Sequence, residues 1–230
     1  MSLFDFDDAF RKYLESKYAS ESKKPTIGRY WPSQLGYCLR RQYYRFRNPK
    51  PTNPDSFRFF ERGHVFHRWV ADVLANTPGL KVLASERSLS IVDFKTDPPF
   101  TLDGRLDDLI LVEEQDTGQR ILIEVKSTET PFSMLEKPSR AHVLQIMPYL
   151  LSQHADVCCL LYLHPNLASK TFTIPYDKAA MVELMARGRL LDSCLRVGEP
   201  PVAEARMDPK SDWECKKRCE YVEECSKNEK

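Results

Sequence analysis

TLDGRLDDLILVEEQDTGQRILIEVKST, running from Thr101 to Thr128, is the stretch around which the chain is organised. Leu106 to Val112 and Arg120 to Val125 are apolar, β-prone runs, and Asp116-Thr117-Gly118 between them has turn chemistry, so the stretch reads as a β-hairpin. The second run ends in Glu124-Val125-Lys126. Strand side chains alternate faces, so Glu124 and Lys126 leave on the same side. Asp107 opens the first run, where the hairpin can bring its carboxylate beside Glu124. Two carboxylates suit a hard divalent cation, and the lysine is near enough to act on an attacking water. The Glu-x-Lys spacing alone says little, because it recurs at Glu15/Lys17, Glu21/Lys23 and Glu214/Lys216 and usually makes a solvated pair. Only the copy at Glu124 ends an apolar β-run, where two charges need a partner or a purpose.

Composition sets the frame. The chain has 230 residues, 42% of them hydrophobic, which suits one sizeable α/β domain with an appended module. A net charge of +1 gives no global signature of nucleic-acid binding, so such binding must rest on local clusters. No apolar run reaches bilayer-spanning length, and the opening MSLFDFDDAF is acidic where a signal peptide is basic. A soluble, cytoplasmic protein without a membrane partner is expected. Seven cysteines, an odd number, argue against a disulfide framework and leave metal binding or burial.

Apolar residues at Phe6, Phe10, Tyr13, Leu14 and Tyr18 predict an amphipathic helix over Phe4 to Tyr18, ended by the lysine-rich Glu21 to Pro25. Ser33 is placed to cap a second helix, SQLGYCLRRQYYRFR, which carries Cys38. Its arginines interleave with Tyr43, Tyr44 and Phe46, a mixture that suits either a phosphate backbone and stacked bases or an exposed helix with arginines over aromatics. The prolines of Asn48 to Pro54 break it. A long helix follows from Ser56 to Ala75 with Phe57, Phe60, His64, His67, Ala71 and Leu74 on one stripe, and on that face His67 reads as a core histidine or a ligand. Lys81 to Asp93 predicts one strand.

Pro131 to Arg140 reads as a polar loop and a candidate lid. Ala141 to His154 predicts a helix despite Pro148, with Val143, Leu144, Met147, Leu150 and Leu151 facing the core, and Gln145 and Tyr149 share a face one turn apart. Val157 to Leu163 is an apolar run of the doubly buried kind, Lys170 to Ile174 a shorter partner, and Asp177 to Val197 a helix ended at Gly198-Glu199-Pro200-Pro201. Cys158, Cys159 and Cys194 fit as small hydrophobes.

Cys215, Cys219 and Cys225 fall within eleven residues in a segment with almost no apolar core of its own. Three thiolates fall one short of the four that zinc or an iron-sulfur cluster takes. Cys38 is the fourth candidate, because it lies in a basic, polar neighbourhood. There Arg40, Arg41, Lys216, Lys217 and Arg218 are expected to lower thiol pKa values. Such a centre would clip the second helix to the chain's end; the alternative is reduced thiols on a frayed tail. Spacing does not separate iron-sulfur from zinc.

Taken together, these pieces resemble the RecB-like branch of the PD-(D/E)XK nucleases, and most closely the CRISPR-associated exonuclease family known as Cas-four. Ser33-Gln34-Leu35-Gly36-Tyr37-Cys38 resembles the family's first cysteine motif, Gly63-His64-Val65-Phe66-His67 its Gly-x-x-x-His, and Gly104-Arg105-Leu106-Asp107 its Gly-x-x-Asp. Glu124-Val125-Lys126 resembles its Glu-x-Lys, Gln145 to Tyr149 its Gln-x-x-x-Tyr, and Cys215, Cys219 and Cys225 its terminal triplet. The six motifs stand in the family's order across residues 33 to 225.

The resemblance implies a restriction-endonuclease-like α/β fold with a central mixed β-sheet flanked by helices. A cysteine-rich cluster module would join the N-terminal helix to the tail. The expected divisions are 1–32 (helix and linker), 33–55 (basic helix), 56–197 (nuclease core) and 198–230 (cysteine-rich segment). It implies that His67, Asp107, Glu124 and the Val125 carbonyl hold Mg2+ or Mn2+, that Lys126 acts on the water, and that Gln145 and Tyr149 hold Lys126 or the substrate. A 4Fe-4S cluster would sit on Cys38, Cys215, Cys219 and Cys225. The activity implied is metal-dependent hydrolysis of single-stranded DNA from its ends, trimming spacer precursors with the Cas-one/Cas-two integrase. A repair nuclease, or a cluster-stapled DNA-end-binding subunit of a helicase-nuclease, is the competing reading.

Overall fold

The structure is a computed structural model that describes residues 5–19, 25–114, 117–209 and 211–227. The hairpin forms as expected: β5 (Asp108–Glu114) runs antiparallel to β6 (Thr117–Ser127), while Gln115 and Asp116, with part of the expected turn, lie outside the described residues. The expected helix ending over residues 20–24 lies outside them too. β6 is interior to a mixed five-stranded sheet. It pairs in parallel with β7 (Val157–Leu163), β7 pairs antiparallel with β8 (Ser169–Pro175), and β2 (Leu80–Ser85) closes the other side against β5.

Residues 81–93 do not make one strand. Residues 80–85 pair with β5, whereas β3 (Ser88–Asp93) pairs with β4 (Phe100–Arg105) in a second, three-stranded sheet completed by β1 (Arg29–Tyr30). The chain turns at Glu86, whose φ is +46°. The turn is locked to a matching break beside Asp107: Glu86 N–H donates to the Asp107 carbonyl at 2.7 Å, and Leu106 N–H to the Arg87 carbonyl at 3.0 Å. Alternation is a local signal and does not say which strand will be the partner, so β4 and this corner went unseen in the sequence. The corner is what positions Asp107.

Helices cover both faces of the larger sheet. On one side α4 (Ser56–Ala75) lays Phe66 and Val70 on Ile123, Val125 and Ile110. Its inward stripe is rotated from the expected one, since Phe60 is exposed and His64 points outward, while Phe66 takes the core position. On the other side α5 (Arg140–Gln153) packs Leu144, Ile146 and Met147 over Leu109, Leu122 and Leu160, every one of these buried, at about 1.5–3 kcal/mol per side chain. α5 is enclosed almost all round, but Leu151, expected in the core, is exposed. α6 (Lys178–Val197) starts on an Asp177 cap that accepts from the Ala179 and Ala180 N–H groups and ends at Gly198 in the left-handed region. α1 (Phe6–Ala19) sits on α4 through a separate small core of Leu14, Tyr18 and Phe57.

The expected second helix is two helices, α2 (Pro32–Leu35) and α3 (Leu39–Arg47), and Cys38 lies at the joint. Ser33 is not the cap: Trp31 holds that place and Pro32 takes the first helical position, where its missing N–H costs nothing. At Gly36 the backbone comes so close to α5 that a Cβ would lie 2.5 Å from the Ala141 Cα. The C-terminal segment, with α7 (Glu204–Met207), α8 (Asp212–Lys217) and α9 (Val222–Lys227), docks on this joint. Contrary to expectation it brings core of its own, since Tyr221 is fully buried and stacks on Tyr44 at 5.9 Å between centroids. Among the described residues no helix is long and apolar enough to cross a membrane.

Candidate functional site

β5 and β6 remain paired only as far as Asp108 and Ile123, then part at the corner. Backbone groups of β6 beyond that point need new partners. Side chains supply them: Asp107 Oδ2 accepts from the Val125 N–H at 2.7 Å, and His67 Nε2 lies 3.2 Å from the Val125 carbonyl. His67 Nδ1 in turn lies 3.2 Å from Asp107 Oδ1. The ladder's end thus gathers α4, the corner and β6 at one point.

On the α5 face the other half is built. Glu124 is 1% exposed, and its Oε1 takes Lys126 Nζ at 2.7 Å and Gln145 Nε2 at 2.6 Å. Lys126 Nζ also donates to Gln145 Oε1 at 2.9 Å. Tyr149 lies one turn along α5 from Gln145, on the same face, and burial raises its pKa further above the ordinary phenol range. Its ring crosses Gly104 so closely that a Cβ there would lie 2.6 Å from Cε1. Gly104→Ala is therefore expected to push the ring off Gln145 and cost about 1–3 kcal/mol, read as a lowered melting temperature.

The electrostatics are those of a site short of positive charge. Burial, with the Glu124 carboxylate adding, raises the Asp107 pKa well above the ordinary carboxylate value. Burial lowers that of His67, against an opposing pull from Glu124. Burial also works against the Lys126 charge, but Glu124 and Asp107 more than offset it and keep the amine above its usual value. Two features fit a divalent cation. Glu124 Oε2 is buried without a hydrogen-bond partner among the described residues. His67 lies 3.2 Å from both the Asp107 carboxylate and the Val125 carbonyl, so one imidazole gathers two further oxygens of the kind a hard cation takes. Among the described residues no group of three or more His, Cys, Asp or Glu side chains stands ready to hold a metal ion, neither here nor at the cysteines.

Cys38, Cys215, Cys219 and Cys225 line one small enclosed space with Arg40, Arg41 and Arg206, and all four thiols are free. Cys38 N–H donates to buried Glu214 at 3.0 Å, Leu39 N–H donates to Glu204 at 2.7 Å, and Arg41 pairs with Glu220 at 2.8 Å. The expected fall in thiol pKa is not what these surroundings give. Burial raises Cys215, with Cys38 adding, and burial raises Cys219, outweighing the arginines nearby. Four sulfurs around one space suit a thiolate-bound metal or cluster, whose own charge would have to drive their deprotonation.

The expected lid, residues 131–139, instead buries part of Phe132 and Leu135 against the main core, and Lys170 donates to the Phe132 carbonyl at 3.2 Å. His142 and Tyr162, which the sequence reading passed over, lie beside Lys126. Tyr162 stands opposite it in the β6–β7 register, which a parallel pairing of the two apolar runs would have indicated.

No protein-family model and no curated protein sequence matches the chain. Among solved structures it resembles SSO0001, with a TM-score of 0.62 at 19% identity over 95% of each chain. An alkaline exonuclease from Laribacter hongkongensis, LHK-Exo, aligns over 80% of this chain and 93% of its own at 17% identity, with a TM-score of 0.48. Its complex with dAMP aligns over the same shares at 17% identity with a TM-score of 0.50. At such identities the likeness is one of fold.

Proposed function

We propose that the chain is a metal-dependent deoxyribonuclease that hydrolyses phosphodiester bonds, working as an exonuclease on single-stranded DNA ends. The observation that carries this reading is the meeting of His67 from α4, Asp107 from the corner, and Glu124 and Lys126 from β6 at the open end of that strand. His67, Asp107, Glu124 and the Val125 carbonyl would hold Mg2+ or Mn2+. When bound there, such a cation supplies Lewis-acid polarisation of the phosphate and charge neutralisation.

The chain's own residues do the rest. Lys126, kept charged by its carboxylate neighbours, orients the attacking water and faces the negative charge that grows on the phosphoryl oxygens. Gln145 spans Lys126 and Glu124, so neither can turn independently, and Tyr149 flanks Gln145 one turn along α5. Fold likeness to an exonuclease supports the nuclease class by analogy only. Preference for single-stranded ends, a 4Fe-4S cluster on the four cysteines, and work beside a Cas-one/Cas-two integrase in CRISPR adaptation rest on the ordered motifs.

Purified protein with Mg2+ or Mn2+ is expected to shorten end-labelled single-stranded DNA, and chelation or Asp107→Ala to stop it. Wild-type protein that binds DNA ends and cuts nothing with either metal would reject the proposal in favour of an end-binding subunit.

A further inference from the structure

Three side chains outside the Lys126 constellation form a hydrogen-bond chain that ends beside it. The Tyr162 hydroxyl accepts from the Ser139 N–H at 3.1 Å and lies 2.8 Å from His142 Nδ1. His142 Nε2 lies 3.3 Å from the Tyr37 hydroxyl. Burial, with Lys126 and Arg218 adding, pushes the His142 pKa down to about 3, so the ring is neutral and carries one N–H. The chain has two possible polarities.

Exposure decides between them. If His142 donated from Nδ1, the hydroxyl hydrogen of Tyr162, a residue only 3% exposed, would be stranded without an acceptor. In the other polarity Tyr162 donates to Nδ1 and Nε2–H donates to the Tyr37 oxygen. The hydrogen left over then belongs to half-buried Tyr37, where it has no acceptor among the described residues and can meet a ligand.

That hydrogen lies in a field set by nearby charges. Beyond the effect of burial, Lys126 and then Arg218 act most strongly on Tyr37, Glu214 opposes them, and Arg41 adds to them. Glu214 is engaged by the Cys38 N–H and Arg41 by Glu220. Arg218 is exposed, lies 5.2 Å from the Trp213 ring centroid, and makes no ion pair among the described residues. The backbone brings the two together, since Glu214 accepts from the Cys38 N–H through its side chain at 3.0 Å and from the Arg218 N–H through its carbonyl at 3.1 Å; a hydroxyl donor on the same patch as a guanidinium without a carboxylate is a donor set for a phosphate oxygen.

Resting on the nuclease reading above, we infer that Tyr37 and Arg218 bind a backbone phosphate of the DNA strand other than the one attacked, with His142 and Tyr162 as positioning residues that point the Tyr37 O–H outward. The cysteine-rich segment thereby contributes to substrate binding directly, through Arg218, the residue just before Cys219.

The test is binding of a fluorescent oligothymidylate to the full chain as purified, without added Mg2+ or Mn2+ so that cleavage plays no part and the cysteine segment is left intact, as a function of salt. Tyr37→Phe and Arg218→Gln are each expected to weaken binding by about 5–10-fold. Arg218→Gln is expected to reduce the slope of log affinity against log salt by about 0.7, while Tyr37→Phe leaves it unchanged. His142→Phe should weaken binding as Tyr37→Phe does, and the double variant no further. Wild-type affinity in a folded Tyr37→Phe, wild-type affinity or slope in Arg218→Gln, or no DNA binding by the wild type, would overturn the inference. Arg218 is exposed, so its variant decides the matter even where Tyr37→Phe fails to fold. Failure of the nuclease reading shows separately, as absent cleavage with Mg2+ or Mn2+.

Discussion

Lys126→Ala is expected to lower the single-turnover rate of strand cleavage by at least about 10²–10³-fold, the loss seen when a preorganised charge-stabilising donor is removed. The reason lies in the geometry. The ammonium is fixed by two contacts, Glu124 Oε1 at 2.7 Å and Gln145 Oε1 at 2.9 Å, so it spends no reorganisation energy when charge develops on the phosphate. The same substitution removes the cation from a carboxylate that is 1% exposed, which costs about 3–5 kcal/mol less whatever Gln145 Nε2 recovers. A lower melting temperature should therefore accompany the lost rate, and added Mg2+ or Mn2+ should restore more stability to the variant than to the wild type. Lys126→Arg should not rescue the rate, because the planar fork cannot occupy the compact seat between Glu124 and Gln145. End-labelled DNA, saturating enzyme and rapid quenching measure this directly; an unchanged rate in a folded Lys126→Ala protein removes the lysine from the chemistry.

The second large effect is on stability. On the proposed reading, Cys38→Ala is expected to free the C-terminal segment, because a centre shared by Cys38, Cys215, Cys219 and Cys225, which line one space, would make metal-binding energy into folding energy for the segment after α6. A loss of at least about 3 kcal/mol, or roughly 6–12 °C in melting temperature for a chain of this size, is expected. New proteolytic cuts should appear between α6 and the chain's end, and the iron or zinc content should fall together with the melting temperature. Were the thiols ordinary small hydrophobes, the substitution would remove one buried sulfur and cost about 1 kcal/mol with no metal released. Metal content equal in both proteins would sink the shared centre.

Much of this was legible in the chain itself because the chemistry sits on strongly patterned elements. The alternation from Arg120 to Lys126 places Glu124 and Lys126 on one face, and i, i+4 spacing brings Gln145 and Tyr149 to that same face. What was not legible depends on partners far apart in sequence. Nothing local shows that Glu86 turns the strand into a second sheet, or that residues 100–105 pair with 88–93. The helix break at Gly36 has its cause in Ala141, a hundred residues on. Helical spacing is met by the stripe through Phe60 and His64, yet the same spacing also fits Phe66 and Val70, and burial goes to the latter because their side of the helix meets the sheet. The thiol pKa values were misjudged for a related reason: neighbouring arginines are visible in sequence, while the depth of burial is not.

β6 is clamped on both flanks, antiparallel to β5 and parallel to β7, and its odd-numbered residues from Ile121 to Val125 face α4 while Leu122 lies in the α5-side core. A slip of one position would send the acid and the amine to the wrong side of the sheet and bring Val125 into their place. The register that sets Glu124 and Lys126 on one face is therefore held by greasy neighbours with no polar chemistry of their own, and inserting or deleting a single residue midway along this strand should be a harsher injury than altering either charged group alone.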